Sequence, residues 1–111
     1  MGEYLLGRLR SLMDKHAIIG DVRGKGLMIG VELVRDRETK ERAVEERNRV
    51  VLEMFQRGVL ILGAGRNAIR FAPPMVLTRD QADSIVSIFD SALGAVTGAG
   101  AHRVPGDQAR P

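Results

Sequence analysis

Residues 24–34, Gly-Lys-Gly-Leu-Met-Ile-Gly-Val-Glu-Leu-Val, form the longest strand-like run in this 111-residue chain. Any fold the chain adopts must bury one side of it. Read with a period of two, Leu27, Ile29, Val31 and Leu33 share one face, and Met28, Gly30, Glu32 and Val34 share the other. The first face is wholly apolar and calls for helices against it. Gly30 has no side chain and Glu32 carries a charge, so the second face is only partly dry, or another backbone approaches closely there.

The rest of the chain supplies partners for this strand. Leu5, Leu9, Leu12 and Met13 recur at helical spacing and predict an amphipathic helix over 3–15 that starts abruptly. A short extended stretch, 18–24, leads into the central run. Asp36 to Thr39 read as a polar turn with Thr39 as N-cap of a helix over about 40–57. That helix carries Ala43, Val44, Val50, Val51, Met54 and Phe55 on one side and closes at Gly58. Its other side (Glu41, Arg42, Glu45, Glu46, Arg49, Glu53) is a solvated salt-bridge surface. Two short strands follow, 59–62 and 68–72, joined by a flexible turn at 63–67 and ended by Pro73-Pro74. Thr78-Arg79-Asp80-Gln81 has the form of a capping box. It opens a last helix striped by Ala82, Ile85, Val86, Phe89, Ala92, Leu93 and Val96. The expected fold is α/β in the α+β sense: two layers, with helices on one face of a small mixed or antiparallel sheet. Residues 1–97 read as one domain and 98–111, rich in Gly, Ala and Pro, as a disordered tail.

Composition removes several function classes. There is no cysteine, and two isolated histidines, His16 and His102, make no metal-ligand spacing. A net charge of +3 is spread among acids, and one Tyr, three Phe and no Trp leave little surface for stacking bases, which argues against nucleic-acid binding. No apolar run approaches the roughly 20 residues a membrane span needs, and charges at Glu3, Arg8 and Arg10 interrupt any signal-peptide core. A cytoplasmic setting without membrane contact is the expectation.

Two Gly-x-Gly stretches invite a phosphate-loop reading. Gly24-Lys25-Gly26 leads into a strand, whereas phosphate loops open helices, and Gly63-Ala64-Gly65 lies between two strands; turns needing glycine account for both, the alternative at 63–65 being a bare loop that lets a substrate pass near the backbone. Arg70 is different. It sits in a five-residue strand between Ile69 and Phe71, so it projects from the face opposite the core. Its planar fork suits a carboxylate, which it can grip with two parallel bonds. The alternative is an ordinary sheet-face arginine paired with Glu32. Asp21 with Arg23, and Glu32 with Arg35, read as structural pairs.

Taken together, Ile19-Gly20-Asp21-Val22-Arg23-Gly24-Lys25-Gly26-Leu27-Met28-Ile29-Gly30-Val31-Glu32-Leu33, Arg57-Gly58-Val59-Leu60 and Ile69-Arg70-Phe71-Ala72-Pro73-Pro74 resemble, in order and spacing, the C-terminal small domain of class III aminotransferases. The resemblance covers about residues 3–96. The Arg-Asn-Arg-Val-Val stretch at 47–51 and the Leu-Gly-x-Gly turn at 62–65 look most like 4-aminobutyrate aminotransferases, with ornithine and acetylornithine enzymes close behind. Some amino-acid racemases share these motifs. The resemblance implies a fold-type I enzyme using pyridoxal 5'-phosphate, a homodimer that moves an amino group from an amine or omega-amino acid to a 2-oxo acid. It also implies that Arg70 binds a substrate carboxylate.

The chain departs from the family in one decisive respect. The Schiff-base lysine, the acid on the pyridine nitrogen and the phosphate-binding residues belong to a large domain that precedes this one. None of the three lysines, Lys15, Lys25 and Lys40, lies in the motif around that lysine. No residue here is therefore assigned to catalysis, cofactor binding or metal binding. The expectation is a fragment that is inactive alone. A non-catalytic remnant or interaction module, pairing through an exposed helix stripe, is the rival reading.

Overall fold

A computed structural model describes residues 2–25, 28–59, 61–71 and 77–98. Helix α1 (Gly2–Ser11) runs into a short 3-10 turn (Leu12–Asp14). Strands β1 (Ile19–Lys25) and β2 (Met28–Asp36) follow, then the two-residue strand β3 (Glu41–Arg42), helix α2 (Val44–Gln56), β4 (Leu62–Ala64), β5 (Ala68–Phe71) and helix α3 (Arg79–Thr97). The sheet order is β1-β2-β5-β4, with β3 beside β2, and every pairing is antiparallel. This is the mixed α/β architecture expected, with an antiparallel sheet and helices.

The period-two reading of the central strand holds for its dry face. Ile29, Val31 and Leu33 are fully buried, while Met28 and Glu32 are exposed. Leu27 lies outside the described residues. The run is not one strand, however. Lys25 and Met28 are cross-strand partners, so Gly24 and Lys25 belong to β1 and the chain reverses before β2. Alternation also fails at Val34, which is buried although it was placed on the open face. A register shift between Ile19 and Asp21 brings Gly20 against it, where an added Cβ would lie 2.9 Å from both Val34 methyls.

Three helices cover the dry face. Leu5 and Leu9 of α1, Val50 and Met54 of α2, and Val86, Phe89 and Leu93 of α3 join Val22, Ile29, Val31, Leu33, Ile69 and Phe71 in one core. Phe71 and Phe89 meet edge to face at 5.1 Å, a geometry worth about 0.5–1.5 kcal/mol beyond the buried area. Gly24 permits the close approach of α1: a Cβ there would sit 2.9 Å from Leu6.

Helix ends show where sequence signals were sufficient. The Thr78–Gln81 capping box forms in both directions, at 3.1 and 3.0 Å. Gly98, expected in the tail, instead closes α3 in the left-handed region. Residues 99–111, most of the expected tail, lie outside the described residues. Helix α2, by contrast, starts at Val44 and not at 40, and Thr39 is not its cap. Lys40 has φ 60°, which no helix interior accepts, and Glu41-Arg42 pairs with β2. Phe55 does not join the buried stripe either; it is 64% exposed, one position beyond the fully buried Met54. Strand β4 begins at Leu62, later than the expected 59–62.

A polar seam, not anticipated from sequence, joins α1 to α3. Asp83 accepts hydrogen bonds from Tyr4 and, at 2.6 Å, from Arg8, and Arg79 stacks over the Tyr4 ring. Two turns on, Asp90 holds Lys15 at 2.9 Å and the buried His16 at 2.5 Å. Burial pushes the Asp90 carboxyl upward, but the hydrogen bonds from His16 and Lys15 outweigh this and leave it below the ordinary aspartate value. A depressed folded pKa stabilises above the unfolded value, about 3.9 for Asp, and the contribution is lost as pH falls through the lower folded value. Asp90→Ala strands His16 without its acceptor and should cost about 1–3 kcal/mol in urea unfolding at pH 7. The difference from wild type should shrink below about pH 4.

Candidate functional site

The sheet face opposite the helices is open, and its residues follow from the register. Arg23, Gly30, Arg70 and Leu62 lie in one row across β1, β2, β5 and β4. Asp21, Glu32, Ala68 and Ala64 form the next. Arg70 is thus flanked by a glycine on one side and by Leu62, 56% exposed, on the other. A Cβ built on Gly30 meets nothing within 4 Å. Among the described residues, open space therefore lies over Gly30, the cross-strand neighbour of Arg70, and Arg70 itself is exposed on a strand whose neighbours Ile69 and Phe71 are locked in the core.

The pairing considered as an alternative for Arg70 does not occur. Glu32 stands opposite Ala68 and not Arg70, and among the described residues the Arg70 side chain has neither an ion pair nor a hydrogen bond. Glu32 does not pair with Arg35 either. Arg35 turns to α2, donating to Glu46 at 3.0 Å and to Glu41 at 3.2 Å, with Glu45 at 3.7 Å. Hydrogen bonds from Arg35 hold the Glu46 carboxyl below the ordinary range, and the same bonds raise the guanidinium. The salt-bridge surface expected of α2 is thus partly built by Arg35 of β2, and its Glu41 and Arg42 lie in β3 and not in the helix. Asp21 and Arg23 form the expected ion pair.

Two residues missed from sequence fix the β4–β5 hairpin. Asn67, assigned to a flexible turn, is buried; its Nδ2 donates to the Leu33 carbonyl at 2.6 Å and its own carbonyl accepts from Leu33 N–H at 2.8 Å. Arg47, in the first turns of α2, donates to the carbonyls of Ala68 (2.8 Å), Ala64 (3.2 Å) and Gly65 (3.2 Å). Gly65 has φ +57°, which explains a glycine at the tip. The sequence signal for this contact is the pair of stretches 47–51 and 62–65, which hold Arg47 and the Ala64 and Gly65 carbonyls that it bonds.

The lysines do not make a cofactor cradle among the described residues. Lys15 is committed to Asp90, and Lys40 sits exposed in the turn before β3. No group of three or more His, Cys, Asp or Glu capable of holding a metal occurs among the described residues. No helix among them is long and apolar enough to cross a membrane. Beside the second row, the face runs into a depression of about 620 Å³ lined by Glu32, Arg42, Arg66 and Asn67, too open to enclose a substrate by itself.

Comparison with known proteins gives these features a context. The sequence profile of the family described as aminotransferase class III matches residues 1–93. A leucine/methionine racemase of Thermococcus litoralis is 40% identical over 96 residues, covering 86% of this chain and 22% of that protein. The mitochondrial alanine–glyoxylate aminotransferase 2 homolog 2 of Arabidopsis thaliana is 45% identical over 95 residues, covering 84% and 20%. Among solved structures, the PLP-bound amine transaminase of an uncultivated Pseudomonas species superposes with a TM-score of 0.76 at 40% identity, covering 84% of this chain and 21% of that one. The chain spans about a fifth of the length of the curated relatives it matches.

An arginine with no partner among the described residues contributes little to folding. Arg70→Gln should therefore shift the unfolding free energy of the chain by no more than about 0.5 kcal/mol, measured by chemical denaturation.

Proposed function

The chain belongs to the class III aminotransferases, and from that premise we propose that its open sheet face is the substrate-carboxylate side of a transaminase, with Arg70 as the gripping residue. The observation that carries this reading is the solitary state of Arg70. It is a permanently charged fork on a short, anchored strand, with open space over the neighbouring Gly30 and no acceptor of its own among the described residues. Buried strand neighbours fix its backbone, so little order remains to be imposed when a carboxylate arrives. A hydrogen bond to a charged partner contributes roughly 1.5–3 kcal/mol, enough to orient an amino acid by its acid end.

The proposed reaction transfers an amino group from an amine or omega-amino acid, 4-aminobutyrate-like in having its amine remote from its carboxylate, to a 2-oxo acid. Family membership implies pyridoxal 5'-phosphate in the complete enzyme, where it supplies the electron sink for the chemistry. The residues described here do not fit the role of its anchor, so the part that holds it lies outside them. On this reading residues 1–97 act as the small domain of a larger homodimeric enzyme, and the 111-residue chain alone has no transaminase activity. The open face accords with this, since a flat sheet needs a second surface to exclude water from a substrate.

Racemisation is the second reading, favoured by the 40% identity to the Thermococcus racemase. Both reactions labilise a bond at the amine-bearing carbon, and the same arginine serves either. Exchange of the α-hydrogen with solvent deuterium, without amino transfer to an added 2-oxo acid, would identify a racemase; stoichiometric transfer identifies the transaminase. In the complete enzyme, Arg70→Lys should raise KM for the carboxylate substrate more than about tenfold, because a point charge replaces a bidentate fork. Unchanged KM values for both substrates would remove Arg70 from the site.

A further inference from the structure

We infer that Arg47 is a positioning residue for the carboxylate site, acting on Arg70 through the β4–β5 hairpin; this rests on the reading of Arg70 given above. Strand β5 is four residues long, and β4, only three, is the outermost strand in the sheet order. Its ladder with β5 consists of the pairs Leu62–Arg70, Gly63–Ile69 and Ala64–Ala68. A hairpin this short is marginal without support from outside itself.

Arg47 provides that support at the place that matters. All three of its carbonyl acceptors, Ala64, Gly65 and Ala68, lie in the hairpin, one on each strand and one at the tip. Its Nε donates to Asn48 Oδ1 at 2.8 Å, which fixes the plane of the guanidinium. Asn67 ties the same tip to β2 from the other side. Ala68, the acceptor of the shortest of the three carbonyl bonds, lies two residues before Arg70 on the same face of β5. The fork thus sets both the closing of the hairpin and the origin of the strand from which Arg70 projects.

Gly63 is the matching half of the device. A Cβ at that position would lie 2.8 Å from Arg47 Nη1 and 3.1 Å from Cζ, so a side chain there would require the guanidinium to shift from the position in which it donates to the hairpin. Sequence stretches 47–51 and 62–65, unrelated by spacing, are thereby one structural unit. Lysine cannot replace this arginine, because a single ammonium does not present a planar fork to three carbonyls.

The test is a double-mutant cycle on the complete enzyme that contains this chain, with KM and kcat measured for the carboxylate substrate. Arg47→Lys should raise KM roughly tenfold, since displacements of an ångström at a binding group carry penalties of this order or larger. Amide exchange across 62–71 should quicken at the same time. In an Arg70→Lys background the same substitution should leave KM unchanged within about twofold, because the effect travels through Arg70. Gly63→Ala, a smaller lesion that displaces the guanidinium from the other side, should reproduce the pattern and serves if Arg47→Lys does not fold. A raised KM in Arg70→Lys beside an unchanged KM in both Arg47→Lys and Gly63→Ala overturns this inference alone. Equal effects of Arg47→Lys in both backgrounds also overturn it, since they show a general loosening. An unaffected KM in Arg70→Lys fells the carboxylate reading and this inference with it.

Discussion

Strand β2 is hydrogen-bonded to β1 along one edge and to β5 along the other, and its two-sidedness governs the molecule. Ile29, Val31 and Leu33 must leave water, which commits the three helices to one face of the sheet. Once they are committed, no helix among the described residues is left to cover the opposite face. Gly30 and Glu32 keep that face from becoming a second core. The register then carries Arg70 to the centre of the open side, opposite the one position in β2 where no side chain intervenes. A functional surface is in this sense a by-product of how the core was built.

The rest of the chain stabilises that arrangement from its margins. Asp83 and Asp90, seven residues apart on α3, fasten the N-terminal helix and the turn after it. Arg35 fastens β2 to the start of α2, and Arg47 fastens α2 to the hairpin. Each link joins elements distant in sequence, and each places a charged group against carboxylates or carbonyls that no helical or strand period reveals.

That explains what the sequence disclosed and what it hid. Local rules were enough for the start and the stripe of the last helix, whose capping box and apolar positions agree with one another, while Gly98, read as the first residue of a tail, is its C-cap. Alternation was enough for the dry face of β2, and it stopped being enough at Val34, where a register shift changes the count. The start of α2 was misjudged because Thr39 is a good cap by type, while the pairing of Glu41-Arg42 with β2 is a tertiary event. Arg70 was visible because a charge between core residues in a short strand is conspicuous. The alternative, a pairing with Glu32, does not form, since register decides neighbours and register is not written in composition. Arg47 and Asn67 were invisible for the same reason: their acceptors are backbone carbonyls, which carry no sequence identity.

The claim at the centre is that Arg70, an arginine with no partner among the described residues, awaits a substrate acid on an open sheet face. A crystal structure of the complete enzyme with a carboxylate-bearing substrate analogue tests it most directly. The account predicts both carboxylate oxygens at about 2.7–2.9 Å from the Arg70 guanidinium nitrogens, over the gap that Gly30 leaves. A carboxylate bound by other groups, with Arg70 turned to solvent or to an acidic side chain of the protein, would contradict it.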